Sequence, residues 1–222
     1  MSIRTDIAAE SFSQAGGAEK LQGVKVKNKV IENARLEVTD ITIETQEAAE
    51  KLGRPIGRYI TLTATDSTFD MYSDSFRERA EVIAKAIGEL CGECERFLAV
   101  GLGNYALTSD AVGPLTAEKI FATRHIKSLA KEIDTDDLGE VTVIQPGVLG
   151  NTGIESSEQV KAIAERVTPQ AIIAVDALAC SELSNLGRTI QLCNTGISPG
   201  SGVENARKEL SLSTLGVKCI AI

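Results

Sequence analysis

Histidine is the scarcest chemically useful side chain in this 222-residue chain, occurring once, at His125. A single imidazole excludes a histidine-rich zinc site and leaves any Ser/His/Asp triad dependent on that one residue, which follows Arg124 in a predicted helix. No apolar run reaches the length of a membrane span, and the opening Met-Ser-Ile-Arg-Thr-Asp lacks the pattern of a signal peptide. No membrane partner is expected. There is no block of Lys and Arg either, and 31 acidic residues against 23 basic ones give a net charge of -8. That balance argues against direct nucleic-acid binding. No Walker phosphate loop is present. Five cysteines are an odd number that cannot pair completely, which points to a reducing cytoplasm. Cys91-Gly-Glu-Cys94 is a lone C-x-x-C without a second pair, and reads as small residues closing a helix. Cys180, Cys193 and Cys219 sit in or beside apolar runs and read as core residues. No metal and no cofactor are expected.

What the chain does have is alternating secondary structure. Leu36–Ile43 and the run 58–63 alternate and are rich in β-branched residues, so both read as strands, joined by a turn carrying Gly53, Pro55 and Gly57. Residues 1–35 lack strong periodicity, with a joint near Gly16-Gly17. Phe76, Ala80, Ile83, Ile87 and Leu90 recur at helical spacing. Beyond them the pattern predicts strands at 97–100, 141–145, 171–175, 189–192 and 217–222. Helices are predicted from about Pro114, at 157–167 and at 203–211. Pro114 suits the first turn of its helix, and Ser156 with Gln159 suggests a capping box. Strands alternating with helices predict an α/β fold whose sheet is mainly parallel, with helices on both faces. A short N-terminal β extension (7–75) precedes a core (76–222). Ending on the apolar Val217-Lys-Cys-Ile-Ala-Ile222 reads as a chain truncated within its core.

Chemistry collects at strand ends. The apolar run 97–100 stops at Gly101-Leu-Gly103-Asn104, and Asp110 follows; the run 171–175 ends directly in Asp176. In open parallel sheets ligands bind beyond the carboxyl ends of the strands. The loops Gln145 to Gly153 and Asn194 to Gly202 are expected at the same edge, their glycines letting backbone N–H groups approach a substrate. Two neighbouring carboxylates tend to share a proton: the charged one activates water, the protonated one donates to a carbonyl oxygen or a leaving nitrogen. Strand-end aspartates also cap helices and brace turns, so spacing alone leaves both readings open. The run Gly101-Leu-Gly103-Asn-Tyr-Ala106 fits a dinucleotide fingerprint poorly, because its helix begins too late and the next strand ends in Gln145 rather than an acid.

Gly101-Leu-Gly-Asn, Asp110-Ala-Val-Gly-Pro, Thr123-Arg-His-Ile, Pro146-Gly-Val-Leu-Gly, Thr152-Gly-Ile-Glu155, Val175-Asp-Ala-Leu-Ala and Asn194-Thr-Gly-Ile-Ser-Pro-Gly-Ser-Gly202, in this order, strongly resemble the germination protease of spore-forming bacteria over residues 3–222. The resemblance implies a self-processing endopeptidase, made as a zymogen, that degrades small acid-soluble spore proteins in the spore core. It implies a homotetramer, and a fold similar to the hydrogenase maturation proteases. The family's essential aspartates match Asp110 and Asp176. Its self-cleavage motif matches residues 2–8, placing the cut between Asp6 and Ile7 and making 1–6 a propeptide and 7–222 the peptidase domain. The supporting loops carry Gly101, Gly103, Asn104, Gly147, Gly150, Thr152, Glu155, Thr195, Gly200, Ser201 and Gly202. An acidic residue at the scissile bond requires a basic reader, for which Arg124, Arg188 and Arg207 are candidates. The chain departs from the family pattern at Ser109 and Glu204, and the family continues past the position of Ile222. Two alternatives accompany this reading: a metal-assisted peptidase resembling the hydrogenase maturation group, and an inactive truncated form that only binds.

Overall fold

The computed structural model describes residues 5–17, 21–129, 135, 138–198 and 208–222. The chain divides into two compact units, one comprising the chain up to Leu90 with Leu178–Thr195, the other Cys91–Ala177 with Gly196–Ile222.

In the first unit, β1 (Val24–Ile31), β2 (Leu36–Ile43), β3 (Gly57–Ala64) and β7 (Thr189–Cys193, numbered along the chain) lie in the order β1-β2-β3-β7, every pairing antiparallel. Register is set by the apolar faces: Leu36 lies opposite Ala64, Val38 opposite Leu62, and Leu62 opposite Ile190. A one-residue slip would turn these side chains to the wrong face. Helix α1 (Ala8–Gln14) opens the described chain, and α2 (Gln46–Leu52) fills the connection from β2 to β3. The Thr45 hydroxyl accepts the Ala48 N–H at 3.3 Å to start α2, and Gly53, at φ 63°, ends it in the left-handed conformation. Helix α3 (Phe76–Cys91) brings in Arg79, which is 2% exposed. Its guanidinium pairs with Asp66 and donates to the carbonyls of Ala34 and Thr68 at 3.1 and 3.2 Å, so this buried charge is both paired and hydrogen-bonded.

The second unit has β4 (Arg96–Gly101), β5 (Glu140–Ile144), β6 (Ala171–Val175) and β8 (Lys218–Ala221) in the order β8-β6-β4-β5, all parallel. These are the continuous apolar runs expected of strands covered on both faces. Leu98, Val100, Leu102, Val160, Ile172, Ala174 and Cys219 form their core, where each fully buried Leu or Ile contributes about 2 kcal/mol. Around the strands lie α4 (Val112–Lys119), α5 (Arg124–Leu129), α6 (Leu149–Thr152), α7 (Ser156–Val167) and α8 (Leu212–Leu215).

The expected α/β class holds, but the mainly parallel sheet does not. Within the two units three strand pairings are parallel and three antiparallel, the pairing of β3 with β7 among the latter. Period-2 patterning identifies a strand without naming its partner. The strands of the expected N-terminal β extension are joined by β7, from residues 189–193. The capping box is also corrected. Glu155 occupies the N-cap without a side-chain bond, Ser156 Oγ donates to the Gly147 carbonyl at 3.0 Å, and Gln159 Nε2 donates to the Ile154 carbonyl at 3.3 Å. The expected helix at 203–211 lies largely outside the described residues. Its described end is not helical, because Leu210 bridges Ile197.

Candidate active site

Gly101 at the end of β4 is in register with Val175 at the end of β6, and the Leu102 N–H donates to the Val175 carbonyl at 2.8 Å. Asp176 is therefore the first residue past β6, where its N–H donates to the Ile222 carbonyl at 3.0 Å and its Oδ1 accepts the Ala177 N–H at 2.9 Å. The chain leaving β4 turns at Gly103, whose φ of 112° suits glycine alone. A Cβ there would stand 2.2 Å from the Asp110 carbonyl oxygen. Asn104 donates its N–H to both the carbonyl and the Oδ2 of Asp110, each at 2.9 Å. This fork closes the loop 103–110 and fixes the carboxylate at the tip of a 3-10 turn, Thr108–Asp110.

Helix α4 starts directly behind Asp110 and is packed onto both strand ends through glycine. A Cβ on Gly113 would meet the Leu102 and Val175 carbonyls at 2.1 and 2.4 Å, and one on Gly101 would meet the Gly113 carbonyl at 2.3 Å. The backbone contact Leu102–Gly113–Val175 thus brings the turn bearing Asp110 and the strand end bearing Asp176 to the same edge of the parallel sheet. Both carboxylates are half-buried. The β5 end reaches that edge as well, with Gln145 Nε2 donating to the Pro114 carbonyl at 3.2 Å.

Of the other predicted residues, Gly147 (φ 71°) shapes the loop after β5. Thr152 staples the loop by donating to the Ile154 carbonyl at 2.9 Å. Gly150 is exposed, and Glu155 starts α7. Thr195 belongs to the first unit, its methyl occupying the place of a Cβ on Gly57 at 2.3 Å. Gly200, Ser201 and Gly202 lie outside the described residues, as do Glu204 and Arg207. Arg124 pairs with Glu140 at 3.1 Å, and Arg188 donates to the Ala64 carbonyl at 2.9 Å. Among the described residues no three His, Cys, Asp or Glu side chains stand together as a set of metal ligands, and no helix is long and apolar enough to cross a membrane.

Asp6 and Ile7 lie in the first unit, held by residues that sequence reasoning missed. The Asp6 N–H donates to the Ala179 carbonyl at 2.8 Å, and the Ala179 N–H returns to Asp6 Oδ2 at 3.1 Å. The buried Gln191 amide brackets Ile7: its Nε2 donates to the Asp6 carbonyl at 3.0 Å and its Oε1 accepts the Ala8 N–H at 2.6 Å. Arg54 Nη2 donates to the Thr5 carbonyl at 3.1 Å, so among the described residues this segment has a basic contact that was not one of the arginines expected. The Gln191 signal was a polar residue at an inward position of β7, legible once that strand's register is known.

Glu10, on α1, accepts from the N–H and hydroxyl of Ser181, from the Glu182 N–H at 3.3 Å and from Asn185 Nδ2 at 2.6 Å. Burial opposes the charge, but these donors together with Thr5 outweigh it and hold the carboxyl at about 2, against an ordinary 4.5. A depressed carboxyl stabilises the fold above its unfolded value and loses that contribution as pH falls through the folded one. The melting difference between wild type and Glu10→Gln is therefore expected to be full at neutral pH and to shrink from pH 4.5 towards about 2. Melting curves across that range check it; a pH-independent difference would remove the carboxylate from the account.

Comparison with known proteins places the chain among the peptidases. A family model described as germination protease matches residues 4–222. Curated relatives of that name occur in Clostridium perfringens strain ATCC 13124 (38% identical over 225 residues, covering 99% of this chain and 68% of the relative) and in Clostridium tetani strain Massachusetts (40% over 228 residues, 100% and 69%). Another is that of Priestia megaterium, 37% identical over 235 residues and covered to 62%. The chain belongs to the germination protease family.

Proposed function

We propose that this chain is an endopeptidase of the aspartic type, using Asp110 and Asp176 on a water molecule. The observation that carries the reading is the glycine-mediated contact of α4 with the ends of β4 and β6, because it assigns two carboxylates from separate turns to one sheet edge. In the reaction the ionised aspartate takes a proton from water as its oxygen attacks the scissile carbonyl carbon. The protonated partner donates to the carbonyl oxygen and, as the tetrahedral intermediate collapses, a proton passes to the leaving nitrogen. The family's name supports a role in spore germination. On the resemblance stated above, the substrates are small acid-soluble spore proteins in the spore core. The chain is a zymogen processed between Asp6 and Ile7, the assembly is a homotetramer, and the fold is close to that of the hydrogenase maturation proteases.

The test is the intact mass of the chain before and after incubation at mildly acid pH, beside Asp110→Asn. Loss of residues 1–6 in wild type alone is the expected result. An unchanged mass in both, with a folded spectrum, would turn the reading towards a form that binds without cutting.

A further inference from the structure

The segment 5–14 is attached to its unit in an uneven way. Its polar anchors are numerous and fall on its first seven residues: Asp6 on Ala179, Gln191 on Asp6 and Ala8, Arg54 on Thr5 and, at 3.2 Å, on Ser11, and Glu10 on Ser181 and Asn185. Ile7 and Ala8, 4% and 2% exposed, are its buried apolar residues. Beside it lies an open pocket of about 240 Å³ lined by Glu10, Ser13, Thr61, Thr63 and Asn185 among others. Thr61 at its wall is 2% exposed, and its hydroxyl meets no hydrogen-bond partner. A packed core element does not leave a buried hydroxyl unpartnered below it. Helix α1 has seven residues, too few to persist alone in water, so once detached the segment unfolds as a whole.

We propose that residues 5–14 form a detachable strap, locked by Gln191 and Glu10, that withholds the Asp6–Ile7 bond from a protease site until the strap lifts. This rests on the reading of that bond as the processing point and adds what governs it. In the docked state the Asp6 carbonyl is engaged by Gln191 and Ile7 is buried, so the bond is not presented as a free extended substrate. Lifting exposes the bond, and water reaches Thr61 and the released donors. Because Glu10 keeps its charge down to strongly acid pH, mild acidification does not open the lock through that carboxylate.

The test separates the strap from self-processing. In an Asp110→Asn background, an added endoproteinase that cuts on the amino side of aspartate is used as the probe, and scission of the Thr5–Asp6 bond is followed by intact mass. Gln191→Leu and Glu10→Gln are each expected to raise that rate by about tenfold, the equivalent of one or two lost hydrogen bonds, with the far-ultraviolet spectrum unchanged. Rates equal to the parent's overturn the strap. A readout without the variants is hydrogen exchange of the parent: the Ala8 amide should exchange at least about tenfold faster than the strand amides of Leu62 and Leu192. Equally slow exchange overturns the strap too. An Asp110-intact chain that never shortens itself removes the self-processing reading while leaving these outcomes to decide the strap.

Discussion

Asp176→Asn and Asp110→Asn are each expected to slow peptide cleavage by about 10²–10⁴-fold, the contribution of a positioned acid or base. Asparagine keeps the acceptor oxygen that receives the Ala177 N–H at Asp176 and the Asn104 N–H at Asp110, so the melting temperature should barely move. What is lost is the capacity to hold or give up a proton. The double variant is the sharper test. Two groups that share one proton act as a unit, and removing the second should cost little more than removing the first. Independent groups would multiply their losses. A single variant retaining wild-type turnover of a peptide substrate, measured by mass spectrometry of the products, would end the two-aspartate reading.

Gly113→Ala is expected to be the most damaging single-methyl addition near this edge. The new Cβ would stand 2.1 Å from the Leu102 carbonyl oxygen, 2.4 Å from that of Val175 and 2.6 Å from the Leu102 nitrogen. All three are main-chain atoms of the strand ends and cannot swing aside as a flexible side chain would. Either α4 moves outward, carrying the turn of Asp110 with it, or β4 and β6 spread. We expect a loss of about 3 kcal/mol, roughly a 10 °C fall in Tm for a chain of this size, together with loss of cleavage. Gly150→Ala is the control, since a Cβ there meets nothing within 4 Å. Calorimetry of the pair decides: equal melting temperatures would mean that the helix does not seat on the strand ends.

Two of the parallel strands, β4 and β6, were plainly legible in the sequence because each is a short apolar run closed by glycine or by an acid; β5 and β8 are shorter apolar runs with a less distinct end. Their observed limits, such as Arg96–Gly101 for the expected 97–100, differ by a residue or so. The carboxylates were legible for the same reason: Asp176 is the first charge after five apolar residues. Several elements were not, the short helices α6 and α8 among them. In β1 the alternation Val24-Lys-Val-Lys is there, but Asn28 and the exposed Val30 blur it. Helix α2 hides between two strands, although Thr45 as its cap and Gly53 as its end are recognisable signals. Helix α1 draws little from its own sequence and takes its place through contacts such as Ala8 to Gln191, 183 residues apart. Arg54, Gln191 and Glu10 could not be connected from the sequence for that reason: periodicity reports which face of an element is buried, not what lies across from it.

Strand β1 ends the order of its sheet, and it carries Lys25, Lys27 and Lys29 on residues that are all exposed. A second copy approaching edge to edge would set one row of ammonium groups against another. Backbone pairing along that margin would also demand their desolvation. In a chain whose overall charge is -8, this local row acts as a guard against growth by strand addition. Crowded copies are thereby steered away from fibre-like stacking and towards contacts made by other surfaces.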